Sequence, residues 1–131
     1  MTARQYVVDA SAVVEVMRES DLGRELAEMM SEAVLVAPAH LDAEVLSAMG
    51  RLVRGGTLGA DAVTQRVAYL DQLPVRRHPL PPLVRQAWAL RDVVALRDAL
   101  YVACTEAVDG VLLTLDRRLA RSAPVEVELI G

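Results

Sequence analysis

Hydrophobic and polar positions along this chain follow two rhythms that take turns, short unbroken apolar runs and longer stretches with apolar residues three or four apart. Tyr6-Val7-Val8 is a run of the first kind and stops at Asp9. Asp9-Ala10-Ser11 then reads as a helix start, with Val13, Val14, Val16 and Met17 following at helical spacing. Ser20-Asp21 opens a second helix bearing Leu22, Leu26, Met29 and Met30. Residues 34–37 predict another buried strand, halted by Pro38. A helix over about 39–54 sets Leu41, Val45, Ala48 and Leu52 on one face and ends at Gly55-Gly56. Residues 61–73 predict a further helix closed by Pro74, and 75–78 a short strand. Pro79, Pro81 and Pro82 make a stiff connector, after which 83–95 read as helix, with Trp88 expected to pack.

The stretch 96–119 organises the rest. Its first half is nearly all apolar, and a helix with so few polar residues must be buried. A turn at Asp109-Gly110 follows, then the run 111–115, which delivers Asp116 at its carboxyl end. Period-two alternation over 125–130 predicts an edge strand. Strands alternating with helices imply one α/β domain over residues 1–131, with a mostly parallel central sheet and helices on both faces. In such sheets ligands bind outside the carboxyl ends of the strands. The polar residues there are therefore the informative ones.

Composition narrows the chemistry. At 131 residues and 53% hydrophobic, the chain can bury a sizeable core. No apolar run approaches the roughly 20 residues of a membrane span, and the N-terminus lacks a signal pattern; a cytoplasmic protein without membrane contact is expected. The sequence has no lysine, which removes P-loop and receiver-type phosphate chemistry. His40 and His78 have no metal-ligand spacing to Cys104 or to each other, so zinc is not expected. Cys104 lies within the apolar helix and reads as core. A net charge of −4 argues against broad phosphate binding, leaving local arginines or bound cations as the route to a nucleic acid.

Four acids stand where a ligand would. Asp9 and Asp116 each follow an apolar strand directly, and if those strands are parallel neighbours the two carboxylates lie side by side. Asp98 begins the buried helix, and Glu44 falls at the edge of an apolar stripe, where an unpaired charge is costly. Asp42, at the opposite edge, is expected to serve the helix N-terminal amides. Four oxygen donors without competing His or Cys suit a hard cation, magnesium or manganese. Each acid also has a plain structural reading: Asp9 and Asp98 as helix caps, Glu44 as an arginine partner, Asp116 as a turn acid. The combination carries the case.

The runs Val8-Asp9-Ala10-Ser11-Ala12, Glu44 in its helix, Asp98-Ala99-Leu100-Tyr101-Val102-Ala103 and Leu113-Thr114-Leu115-Asp116-Arg117-Arg118-Leu119 resemble those of PIN-domain ribonucleases of the VapC toxin type, from bacterial toxin–antitoxin pairs. The resemblance extends over the whole chain. It implies a magnesium- or manganese-dependent endoribonuclease, with Asp9, Glu44, Asp98 and Asp116 as the catalytic acids. Asp9, Asp98 and Asp116 would hold the metal, and Ser11 and Thr114 would orient carboxylates or water. Arg51, Arg54, Arg117 and Arg118 are candidates for RNA backbone contacts. The implied partners are an RNA substrate, a cognate antitoxin and a second copy in a homodimer, with the helices at 22–30 and 58–73 offering apolar surface. Arg97 before Asp98 and Cys104 depart from the usual pattern. The alternative is a PIN fold kept as a non-catalytic interaction module, which predicts loss of at least one acid. A DNA or flap nuclease would need more length and more acids.

Overall fold

A computed structural model describes residues 5–131. The elements run β1 (Gln5–Val8), α1 (Ala10–Arg18), α2 (Asp21–Ser31), β2 (Val34–Pro38), α3 (Leu41–Arg54), α4 (Ala60–Gln72), β3 (Val75–His78), a 3-10 turn (Pro81–Leu83), α5 (Val84–Ala89), α6 (Leu96–Val108), β4 (Val111–Thr114), α7 (Arg117–Ser122) and β5 (Val127–Leu129). Among the described residues the sheet has five strands in the order β3-β2-β1-β4-β5, and every pairing is parallel. The sheet is thus wholly rather than mostly parallel, because the alternating 125–130 run also joins it in parallel, as the short edge strand β5.

Consecutive strand residues point to opposite faces, and in β1 Tyr6, Val7 and Val8 are all buried, as are all four residues of β4. Helices therefore cover both faces, which explains the unbroken apolar runs. The chain winds from β1 outward to β2 and β3, then crosses back to place β4 on the other side of β1, with Tyr6 opposite Val111 and Val8 opposite Leu113. The winding reverses between β1 and β4, and a crevice opens at their carboxyl ends. Helix α6 packs on β1, β2 and β4, burying Ala99, Tyr101, Val102, Ala103, Cys104 and Thr105. It ends at Asp109 in the left-handed region (φ 51°). Gly110 comes next, where a Cβ would lie 2.9 Å from the carbonyl oxygen of Gln5.

Several expectations need correction. Residues 83–95 do not form one helix: α5 ends at Ala89, and amides of Val93 and Val94 close a turn on the Leu90 carbonyl. Leu83, Ala87, Leu90 and Val94 are buried all the same, since the pattern records which side faces the core, and the β-branched pair Val93-Val94 favours helix weakly. Trp88 is 59% exposed rather than packed. It follows Ala87 and so lies about 100° round from that buried face. Strand β4 stops at Thr114, one residue short of Leu115. Among the described residues no helix amide donates to Asp42; its carboxylate takes two hydrogen bonds from Arg77, at 2.8 and 3.2 Å. Leu26 and Met30 are buried in the chain's own core and are not free for a partner. Cys104 is core, and burial pushes its thiol up to about 11, the mark of an unreactive cysteine. Among the described residues no helix is long and apolar enough to cross a membrane.

Candidate active site

The crevice between β1 and β4 opens into a cavity of about 540 Å³ whose walls include Asp9, Ser11, Glu44, Arg51, Asp98 and Asp116. Each acid arrives from a different element. Asp9 caps α1, its Oδ1 accepting from the Ala12 amide at 3.1 Å and the Ser11 hydroxyl at 2.6 Å. Its Oδ2 accepts from the Thr114 hydroxyl, which reaches across from β4. Ser11 and Thr114 also receive the backbone, from the Leu115 amide at 3.1 Å and the Asp116 amide at 3.0 Å. These contacts knit the ends of β1 and β4 together and hold Asp9 almost wholly buried, at 5% exposure. Burial pushes its carboxyl above the ordinary 3.8, against hydrogen bonds that pull it down, with Asp98 adding like-charge repulsion.

Asp98 stands third in α6 and caps nothing; Ala95, the residue before that helix, supplies no side-chain cap. Among the described residues the Asp98 carboxylate has no hydrogen-bond partner. Its carboxyl is raised by partial burial first, then by Asp116, with Glu44 contributing less and Arg97 opposing. Asp116 is exposed and caps α7, accepting from the Arg118 and Leu119 amides at 2.9 and 3.2 Å. The structural reading of Asp9 as a cap is therefore correct, Asp116 caps a helix where a turn acid was expected, and both residues still face the cavity.

Among the described residues no arginine pairs with Glu44. Its Oε1 accepts a hydrogen bond from the Tyr101 hydroxyl at 2.7 Å, and His40 Nε2 lies 3.5 Å from the same oxygen. The His40 and Tyr101 rings pack at 4.8 Å between centroids. The sequence pattern assigns neither residue a role, although both also line the cavity. The signal exists: Tyr101 lies three residues after Asp98 and His40 four before Glu44, spacings that put side chains on one helical face.

The arginines divide. Arg51 lines the cavity; Arg54 does not, and its guanidinium folds back toward Gly50. Arg117 and Arg118 border a neighbouring cavity that shares Asp98 and Asp116. Around the acids every side-chain donor is oxygen except the His40 ring, a set suited to a hard divalent cation, and the repulsion that raises Asp98 is what a cation would relieve. As they stand, no three His, Cys, Asp or Glu side chains among the described residues are gathered to ligating positions.

A parallel α/β sheet with acids at its switch point defines a class, and the family model for the PIN domain matches residues 6–123. The relatives are more particular. Ribonuclease VapC3 of Mycobacterium tuberculosis is 47% identical over 121 residues, 92% of this chain and 88% of that protein. Among solved structures, M. tuberculosis VapC20, described as a sarcin-ricin loop cleaving toxin, superposes with a TM-score of 0.69 at 18% identity, covering 94% of this chain and 98% of that one. VapBC2 of Rickettsia felis, solved on a DNA fragment from its promoter, gives 0.63 at 12%, covering 97% and 99%. The chain belongs to the PIN-domain family and, within it, to the VapC ribonucleases.

Proposed function

We propose that this protein is a magnesium- or manganese-dependent endoribonuclease and the toxin half of a toxin–antitoxin pair, hydrolysing RNA phosphodiesters at the cavity between β1 and β4. The observation that carries the reading is the arrival of Asp9, Glu44, Asp98 and Asp116, from four separate elements, on one cavity. Asp9, Asp98 and Asp116 would hold the cation, which supplies water activation and neutralises charge developing on the phosphate. Ser11 and Thr114 fix the Asp9 carboxylate. Glu44, steadied through Oε1 by Tyr101, accepts the proton of the attacking water. Arg51 is placed to meet the substrate backbone from the cavity wall.

The partners follow from the same reading. The protein acts in the cytoplasm, as a homodimer, and is silenced by a cognate antitoxin; the VapBC assembly from Rickettsia felis supports a partner of that kind. Purified protein freed of antitoxin is expected to cut a structured RNA with magnesium or manganese and to stop when EDTA is added, and Asp98→Asn is expected to be inactive. Equal cleavage in EDTA, or full activity in Asp98→Asn, would overturn the proposal.

A further inference from the structure

The neighbouring cavity, about 680 Å³, meets the first along Arg97, Asp98 and Asp116, which line both. Its other walls carry Arg91, Arg117, Arg118 and Arg121. Five of the chain's 14 basic residues thus surround one groove in a protein of net charge −4. All five are exposed, and none forms an ion pair with a carboxylate among the described residues, whereas Arg24, Arg66 and Arg77 each do. Beyond the two shared acids, the wall adds a single carboxylate, Asp92. Asp92, Asp98 and Asp116 offset part of this charge, but five arginines held in no ion pair among the described residues still leave the groove positive, and such a patch attracts polyanions locally, whatever the net charge of the whole.

The groove also has an aromatic neighbour. The Arg91 guanidinium lies 5.0 Å from the centre of the Trp88 ring and donates to the Trp88 carbonyl at 3.2 Å. Trp88 is the only tryptophan of the chain, in a sequence without phenylalanine, and it is largely exposed to solvent. A planar cation over an exposed indole offers stacking surface to a base whose phosphate can reach the adjoining arginines.

We propose that this groove binds the substrate strand on one side of the scissile phosphate, as single-stranded RNA, with backbone phosphates on the five arginines and a base stacked at the Trp88–Arg91 pair. The inference rests on the ribonuclease reading and deepens it. A single strand is favoured because stacking on Trp88 needs an unpaired base face, which a duplex keeps inside. Among the described residues the first cavity has one arginine, Arg51, beyond the shared Arg97, so the hold on the strand is one-sided. An acidic protein segment is the rival occupant.

The test uses intact protein carrying Asp98→Asn, so that RNA stays uncut, with a short fluorescein-labelled single-stranded RNA. Arg91→Ala combined with Arg121→Ala removes two exposed side chains remote from the acids' hydrogen bonds. Affinity is expected to fall about tenfold, and the slope of log affinity against log salt by about 0.7 for each phosphate that is no longer neutralised. RNA is expected to quench Trp88 emission saturably, and the same sequence as a duplex to quench it less. In protein with Asp98 intact, the double variant should raise KM for RNA with kcat nearly unchanged. Unchanged affinity, salt slope and KM, with cleavage intact, would overturn the groove while leaving the ribonuclease standing. Poly-glutamate quenching Trp88 and displacing RNA at equal charge concentration would also overturn it, in favour of a protein occupant. Failure of the parent to cut any RNA would remove the reading beneath it.

Discussion

The Tyr101 hydroxyl donates to Glu44 Oε1 at 2.7 Å while His40 Nε2 approaches the same oxygen, and among the described residues Oε2 has no protein partner. One carboxylate oxygen is held and the other is left to the cavity, which is a useful division for a proton acceptor. Tyr101 itself is immobilised: its ring is 1% exposed, and burial followed by the Glu44 carboxylate pushes its phenol upward, so it remains a donor. Tyr101→Phe keeps the ring and deletes only that donor. We expect RNA cleavage to fall on the order of tenfold, equivalent to about 1.4 kcal/mol of transition-state energy. A lost hydrogen bond to a carboxylate that is 22% exposed should cost about 1 kcal/mol of stability. Cleavage rates and thermal melts of the purified variant decide the point, and parental activity would show that Glu44 needs no such hold. The four acids are legible in the sequence because strand ends and an apolar stripe make a carboxylate conspicuous. Tyr101 does not stand out there, since a tyrosine in an apolar helix looks like core, and here it is core as well.

Arg77 shows what holds neighbouring elements in place around the site. Lying on β3, it donates to Asp42 in the first turn of α3 and to the carbonyls of Leu70, Leu73 and Val75. It thereby ties the end of α4 to the helix that carries Glu44. Arg77→Ala strands several acceptors at once. The expected cost is about 1–3 kcal/mol, read as a melting temperature lower by roughly 3–12 °C for a chain of this size. An unchanged melt would mean that water replaces the guanidinium fully. Nothing in the local sequence pairs residue 42 with residue 77, because that contact depends on β2 and β3 being neighbours. Element type is easier to read than element partners. The apolar runs at 6–8 and 111–114 announce buried strands, yet their adjacency is a supposition until the pairing of β1 with β4 is seen. At 83–95 periodicity locates the buried side chains and misjudges the hydrogen bonding, since a helix and a succession of turns can present the same face.

For the molecule as a whole, the cavity concentrates charge that folding alone would not gather. Asp9 and Asp98 both have carboxyls raised above the ordinary 3.8, chiefly by burial. A group whose folded value lies above its unfolded one ionises less readily in the folded chain, so its ionisation favours unfolding. Well below 3.8 both states hold the proton and the group has no effect. As pH rises through the folded value, the penalty develops and then stays. Asp98→Asn removes one of these charges without deleting a cap or a hydrogen bond, and Asp116→Asn leaves a side chain that can still cap α7. Metal-free Asp98→Asn should therefore melt at the parent's temperature in acid and above it near neutrality, while cutting no RNA. Magnesium should work the other way. A ligand that binds only the folded state stabilises it by mass action, about 1.4 kcal/mol at roughly ten times its Kd. For the parent this is a rise of roughly 4–7 °C, with less for either variant. Melts of the three proteins in EDTA and in magnesium, at acid and neutral pH, separate the outcomes. If Asp98→Asn is less stable than the parent at neutral pH and magnesium moves none of the three, the acids are structural, and the cavity between β1 and β4 is not where the cation binds.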